Sequence, residues 1–228
     1  MDRRELPEVS EREVEIRTEG VDLPGTLSVP GEALAAVVFA HGSGSSRLSP
    51  RNRMVAEWLH SAGLATMLFD LLTPDEAGDR ANVFDIELLA ERLQTATTWM
   101  RTSSGLDPRM QVGYFGASTG AAAALWAAAA SPDEIGAVVS RGGRPDLAGP
   151  RLAMVRAPTL LLVGGRDEQV LELNRQAMRR MTAEVELVVV PSATHLFEEP
   201  GTLESAADHA KAWFVRWLSP GRDRSDVA

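Results

Sequence analysis

Apolar positions along the chain follow two different spacings, and the regular alternation between them predicts the architecture. Short runs rich in β-branched residues occupy 13–18, 25–30, 35–42, 65–71, 111–118, 135–143, 159–167 and 185–194, and they read as eight strands. The first two pair through a turn containing Pro24 and Gly25. From residue 35 onward the runs are apolar on both sides, as expected of strands covered by helices on both faces. Between them the apolar period lengthens, predicting helices over 51–61, 84–100, 119–130, 168–180 and 203–218. Ser49 and Pro50 supply a helix cap and first position, and Gly63 a stop. Ile86, Leu89, Leu93, Ala96 and Met100 form the stripe of the second helix.

Strands that alternate with helices specify an α/β layer architecture: a mostly parallel eight-stranded sheet with an antiparallel start and helices on both faces. The expectation is a single domain over 1–228, with flexible ends at 1–12 and 219–228. Neither an internal repeat nor a linker interrupts it.

Composition narrows the chemistry more than the fold. A net charge of −9 argues against nonspecific nucleic-acid binding and against anionic membranes. The absence of cysteine removes disulfides, thiolate nucleophiles and Cys-based metal sites together, and it fits a reducing cytoplasm. Residues 1–20 are charged and lack the apolar core of a signal peptide, and the Ala-rich stretch at 121–130 is too short to span a bilayer. The chain is therefore expected to be cytoplasmic, without membrane or nucleic-acid partners. No metal or cofactor is called for.

The chemistry concentrates at Gly116-Ala117-Ser118-Thr119-Gly120, where a buried strand gives way to an Ala-rich helix. A serine on such a turn needs tiny neighbours, because side chains at the flanking positions would strike adjacent strands. The spacing and its strand–helix setting together describe a nucleophile elbow; a Gly-rich turn with a capping serine is the plainer reading. A serine hydroxyl needs a base. Of four histidines, His60 and His209 fall in helices, where surface positions are expected, and His41 follows a strand as a loop-fixing residue. His195 lies just past the last strand and fits the base. Asp167, at the end of the preceding strand, fits the orienting carboxylate; Glu168 competes, and a helix cap is the alternative role for Asp167. The order Ser118, Asp167, His195 belongs to one hydrolase fold. All three sit at carboxyl ends of strands, where open α/β sheets hold ligands.

On these residues the chain resembles an α/β-hydrolase, and more closely the compact dienelactone hydrolase family. The segments that carry the resemblance are AHGSGSSRLSPRN, FGASTGAAAAL, VGGRDEQV and PSATHLF. That family generally uses cysteine at the elbow, and this chain has Ser118 instead. The resemblance implies an oxyanion hole from the backbone N–H groups of Ser43 and Thr119. It also implies a small ester or lactone substrate cleaved through an acyl-enzyme. Thioester or peptide cleavage, or a non-catalytic ligand-binding role, are the alternatives. Larger relatives insert a lid between strands six and seven, but only 144–158 connects them here, so no large cap is expected and the mouth should be open. Arg47 and Arg144 are candidates for binding an anionic substrate, against pairing with local acids such as Asp146; Asp70 is a structural carboxylate at the site's edge.

Overall fold

A computed structural model describes residues 8–18 and 20–219. Its eight strands are β1 (Val9–Arg17), β2 (Asp22–Pro30), β3 (Ala35–Ala40), β4 (Leu64–Phe69), β5 (Val112–Ala117), β6 (Ile135–Arg141), β7 (Thr159–Gly164) and β8 (Val185–Val190). They form one sheet in the order β1-β2-β4-β3-β5-β6-β7-β8. β1, β2 and β4 are antiparallel neighbours, and every pairing from β4 to β8 is parallel. The sheet is mixed, with the antiparallel start at one edge, and the architecture is that of an α/β-hydrolase.

The helices are α1 (Pro50–His60), α2 (Pro74–Ala77), α3 (Arg80–Val83), α4 (Ile86–Ser103), α5 (Thr119–Ala130), α6 (Glu168–Met178) and α7 (Thr202–Leu218). A 3₁₀ segment, Pro145–Met154, kinks at Gly149 between β6 and β7. Strand alternation divides the core. Ala36, Val38 and Ala40 of β3 join α4 and α5 residues on one face, while Ala35, Val37 and Phe39 join α1 and α7 on the other. Ala121–Ala124 and Ala127–Ala129 of α5 are all buried, and such small side chains let this helix lie close against the sheet.

Three expectations need correcting. The first turn follows β1, where the Thr18 N–H donates to the Val21 carbonyl at 2.9 Å and Gly20 has φ 87°. Pro24 and Gly25 lie within β2; Pro24 ends the stretch facing β4, where its missing N–H leaves no interior ladder bond unmade. β1 begins at Val9 and pairs with β2 from there, so 9–12 are ordered by the sheet; residues 1–7 and 220–228 lie outside the described residues. Finally, His60 is buried, 9% exposed, its Nε2 bonded to Thr66 Oγ1 of β4 at 2.8 Å, whereas His209 is on the surface as expected.

Burial lowers the pKa of both His41 and His60 below the usual 6.5. The unfolded chain therefore binds protons that the folded chain refuses. Stability is fully present above pH 6.5 and is lost as pH falls below it. Carboxylates enter only below about pH 4.5. The thermal midpoint should fall between pH 7.5 and 5.5, and less steeply in His60→Gln. A flat midpoint across that interval would remove this account.

Candidate active site

β3 lies between β4 and β5, so the chain leaves β3 for one neighbour and later returns on its other side. This reversal opens a crevice at the carboxyl ends of β3 and β5, where ligands of open α/β sheets bind. The loop 41–49 and the β5–α5 turn face each other there.

Ser118 occupies that turn with φ 50° and ψ −119°, a backbone state non-glycine residues rarely adopt. Its glycines are demanded by contact. A Cβ on Gly120 would sit 2.2 Å from the Ala40 carbonyl oxygen, and one on Gly116 2.4 Å from Ala121 Cα. A Cβ on Gly42, across the crevice, would sit 3.0 Å from both the Ala117 oxygen and Ser118 Cβ. Thus the loop after β3 rests directly on the strained serine.

Asp167 and His195 meet as their positions suggested. The His195 Nδ1–H donates to Asp167 Oδ2 at 2.6 Å, which leaves the Nε2 lone pair facing away from the carboxylate. Asp167 stands at the N-cap position of α6, yet its side chain makes no cap bond; the imidazole takes it instead. Glu168 is the first residue of α6. The approach of the two loops again depends on glycine, since a Cβ on Gly164 would lie 2.4 Å from the Ala193 oxygen. Ser118 and His195 line the same cavity of about 200 Å³. No hydrogen bond joins them among the described residues, and such bonds often tighten only around a reacting substrate.

Ser43 and Thr119 are brought together. The Ser43 N–H donates to Thr119 Oγ1 at 2.9 Å, and Thr119 is the first residue of α5, whose N–H has no acceptor within its helix. His41 fixes this loop: the Leu71 N–H donates to its Nε2 at 3.0 Å, and its Nδ1 bonds the Gly42 carbonyl at 3.0 Å. Burial keeps this ring neutral.

The two arginines singled out from the sequence are engaged elsewhere. Arg47 pairs with Glu13 at 3.2 Å and Asp70 at 3.6 Å, and its N–H donates to Asp70 Oδ1 at 2.6 Å, giving Asp70 its structural role. Arg144 forms a two-pronged pair with Asp146 at 2.9 and 2.8 Å. Neither lines the cavity with Ser118; the arginines there are Arg51 and Arg141.

A second cavity, about 330 Å³, lies beyond Ser43 and Thr119. Leu71, Leu72, Pro74, Ala77, Val83 and Leu89 supply its apolar wall. Sequence reasoning looked for a cover between β6 and β7 and missed α2 and α3, which cover this side instead. The signal existed in Thr73-Pro74-Asp75-Glu76, a complete capping box. Glu76 also binds Arg92 of α4 at 2.8 Å; against the opposing effect of burial, the Thr73 amide and Arg92 hold its carboxyl below the usual range.

Comparison with known proteins follows the same lines. The model of the dienelactone hydrolase family matches residues 24–220. A Mycobacterium tuberculosis H37Rv protein named "Putative phosphoribosyl transferase" is 58% identical over 216 residues, covering 94% of this chain and 48% of that protein. The chain thus spans about half the length of that relative. The crystal structure of dienelactone hydrolase from Anabaena variabilis ATCC 29413 is 50% identical, with a TM-score of 0.88 over 94% of this chain and all 100% of that one. Est1E from Butyrivibrio proteoclasticus shares the fold at 17% identity and TM-score 0.75, covering 90% of this chain and 98% of that one. Among the described residues, no helix is long and apolar enough to cross a membrane.

Gly120→Ala and Gly42→Ala separate the two contacts around Ser118. The first forces a Cβ against fixed backbone and should cost about 3 kcal/mol or more in urea unfolding. The second meets a gap of 3.0 Å and should disturb the serine with a smaller loss of stability. Equal unfolding midpoints for Gly120→Ala and wild type would contradict this packing.

Proposed function

Because the chain belongs to the dienelactone hydrolase family, we propose that it is a serine hydrolase that cleaves small esters or lactones through an acyl-enzyme. The observation that carries the proposal is the union of a strained Ser118 with His195, whose Nδ1–H donates to Asp167 at 2.6 Å in the same crevice. His195 Nε2 takes the Ser118 proton as Oγ attacks the substrate carbonyl carbon. Asp167 holds the tautomer and stabilises the imidazolium that forms. The carbonyl oxygen, now negative, takes the N–H groups of Ser43 and Thr119; Ser43 exchanges the Thr119 hydroxyl for it. His195 then protonates the departing alcohol oxygen. Water, deprotonated by the same nitrogen, attacks the acyl carbon and frees Ser118.

Serine in place of the family's usual cysteine leaves this sequence of steps intact. It makes the base indispensable, since a hydroxyl, unlike a thiol, supplies almost no anion at neutral pH. The acyl group occupies the 330 Å³ cavity behind Ser43 and Thr119, a size at the small end of ligand pockets that suits short or compact acyl groups. The transferase name of the longer relative describes displacement at a sugar carbon. A serine–imidazole–carboxylate set supports acyl transfer over that chemistry.

Labelling with a fluorophosphonate and locating the adduct by mass spectrometry tests the nucleophile directly; it is expected on Ser118. Ser118→Ala should lose a factor on the order of 10⁴–10⁶ in kcat on phenyl acetate. Near-normal turnover in that variant would end the proposal. Asp167→Asn should lose about 10⁴, because the imidazole then adopts the wrong tautomer. Acyl length provides a further check. Each CH₂ that enters the cavity gains about 0.8 kcal/mol, but the gain ends where the cavity does. Specificity should therefore peak among short acyl chains, and faster turnover of long-chain esters would reject the cavity as the acyl site.

A further inference from the structure

Arg141 ends β6, beside the elbow: the Ser118 N–H donates to its carbonyl at 3.2 Å, and Ala117 is its sheet partner. The residue is 7% exposed and lines the cavity of about 200 Å³ that holds Ser118 and His195. Its guanidinium lies 5.7 Å from the centre of the Phe197 ring. Nη2 donates to the neutral Asn52 Oδ1 at 3.3 Å, and Nε is buried without an acceptor. No carboxylate pairs with this guanidinium among the described residues. Other deeply placed arginines are paired: Arg92 with Glu76, Arg47 with Glu13 and Asp70.

A buried cation without a counter-ion is strongly unfavourable unless something supplies the negative charge. Burial and then Arg51 push the Arg141 pKa down to about 10, so the group still carries its charge at neutral pH. Arg51 adds a second guanidinium to the same cavity; its partner Glu198 is a surface carboxylate at 3.2 Å, largely screened by water. The cavity also receives the first turn of α1, where Pro50 carries no N–H and the Asn52 N–H donates to Ser49 Oγ at 3.4 Å, so that the Arg51 N–H is the donor left to a ligand. An eleven-residue helix directs the positive end of its dipole there. Two guanidinium groups and a helix N-terminus exceed what one carboxylate balances. They match a phosphate dianion, whose oxygens also suit the planar, forked guanidinium.

We propose that the cavity beside Ser118 and His195 is a phosphate subsite, in which Arg141, Arg51 and the N-terminus of α1 hold a phosphate group carried on the alcohol portion of the substrate. The assignment to the alcohol portion rests on the hydrolase reading above, because His195 protonates the departing alcohol and lines this cavity. The acyl portion lies on the other side of Ser43.

Three acetate esters of one frame provide the test at pH 8: 2-acetoxyethyl phosphate, 3-acetoxypropanoate and 2-methoxyethyl acetate. Wild type should favour the phosphate ester over the neutral one by about 10- to 100-fold in kcat/KM, the range of a charge-assisted bond. The carboxylate ester should fall between them. In Arg141→Met the ratio of phosphate to neutral ester should approach one, with Arg51→Met lowering it less. Calorimetry on wild type should find 2-hydroxyethyl phosphate bound at least tenfold more tightly than 2-methoxyethanol, a comparison that needs neither a variant nor turnover. Equal binding of those two alcohols would overturn the subsite, as would a ratio that survives in Arg141→Met or a preference for carboxylate over phosphate. If Ser118→Ala hydrolyses normally while wild type still selects the phosphate alcohol, the hydrolase reading fails and the phosphate site stands.

Discussion

The contact on which this structure depends is the approach of the β5–α5 turn to the end of β3, where backbone meets backbone. The Ala40 and His41 carbonyl oxygens occupy the space that a side chain at residue 120 would need. Close packing of this kind has no slack. It holds Ser118 in its unusual backbone state at the start of α5, whose first N–H groups have no acceptor within the helix. Ser43 reaches the same point because Gly42 can lie on Ser118. The proposed nucleophile and the proposed oxyanion donors therefore depend on one steric arrangement. Its strain is sustained by the buried strands on either side.

The elements that position this contact were legible in the sequence for a physical reason. β3 to β7 are short, apolar and covered on both faces, and α1 and α4 between them carry an amphipathic 3.6-residue period. Ser118, Asp167 and His195 could be placed at strand ends because the strands themselves were unambiguous. The meeting of His195 with Asp167 followed, since β7 and β8 are neighbours.

What escaped was set by pairing across the fold. The arginines near the crevice look alike in sequence. Only the structure separates Arg47, bound by Glu13 from β1 and Asp70 from the end of β4, from Arg141, which meets the neutral Asn52. The α2–α3 cover escaped because four-residue helices carry no measurable period; their caps were the only local signal. Pro24 misled for a similar reason. Its preference for turns yielded to the tertiary pairing of β2 with β1 and β4.

Arg47 has a consequence of its own. It belongs to the loop that carries Ser43, yet its guanidinium reaches Glu13 on the outermost strand, and its amide holds Asp70. The edge hairpin is thereby tied to the loop that carries Ser43, although the two lie far apart in sequence. The amino-terminal edge of the sheet is therefore tied by charge to the loop beside the crevice as well as forming a border.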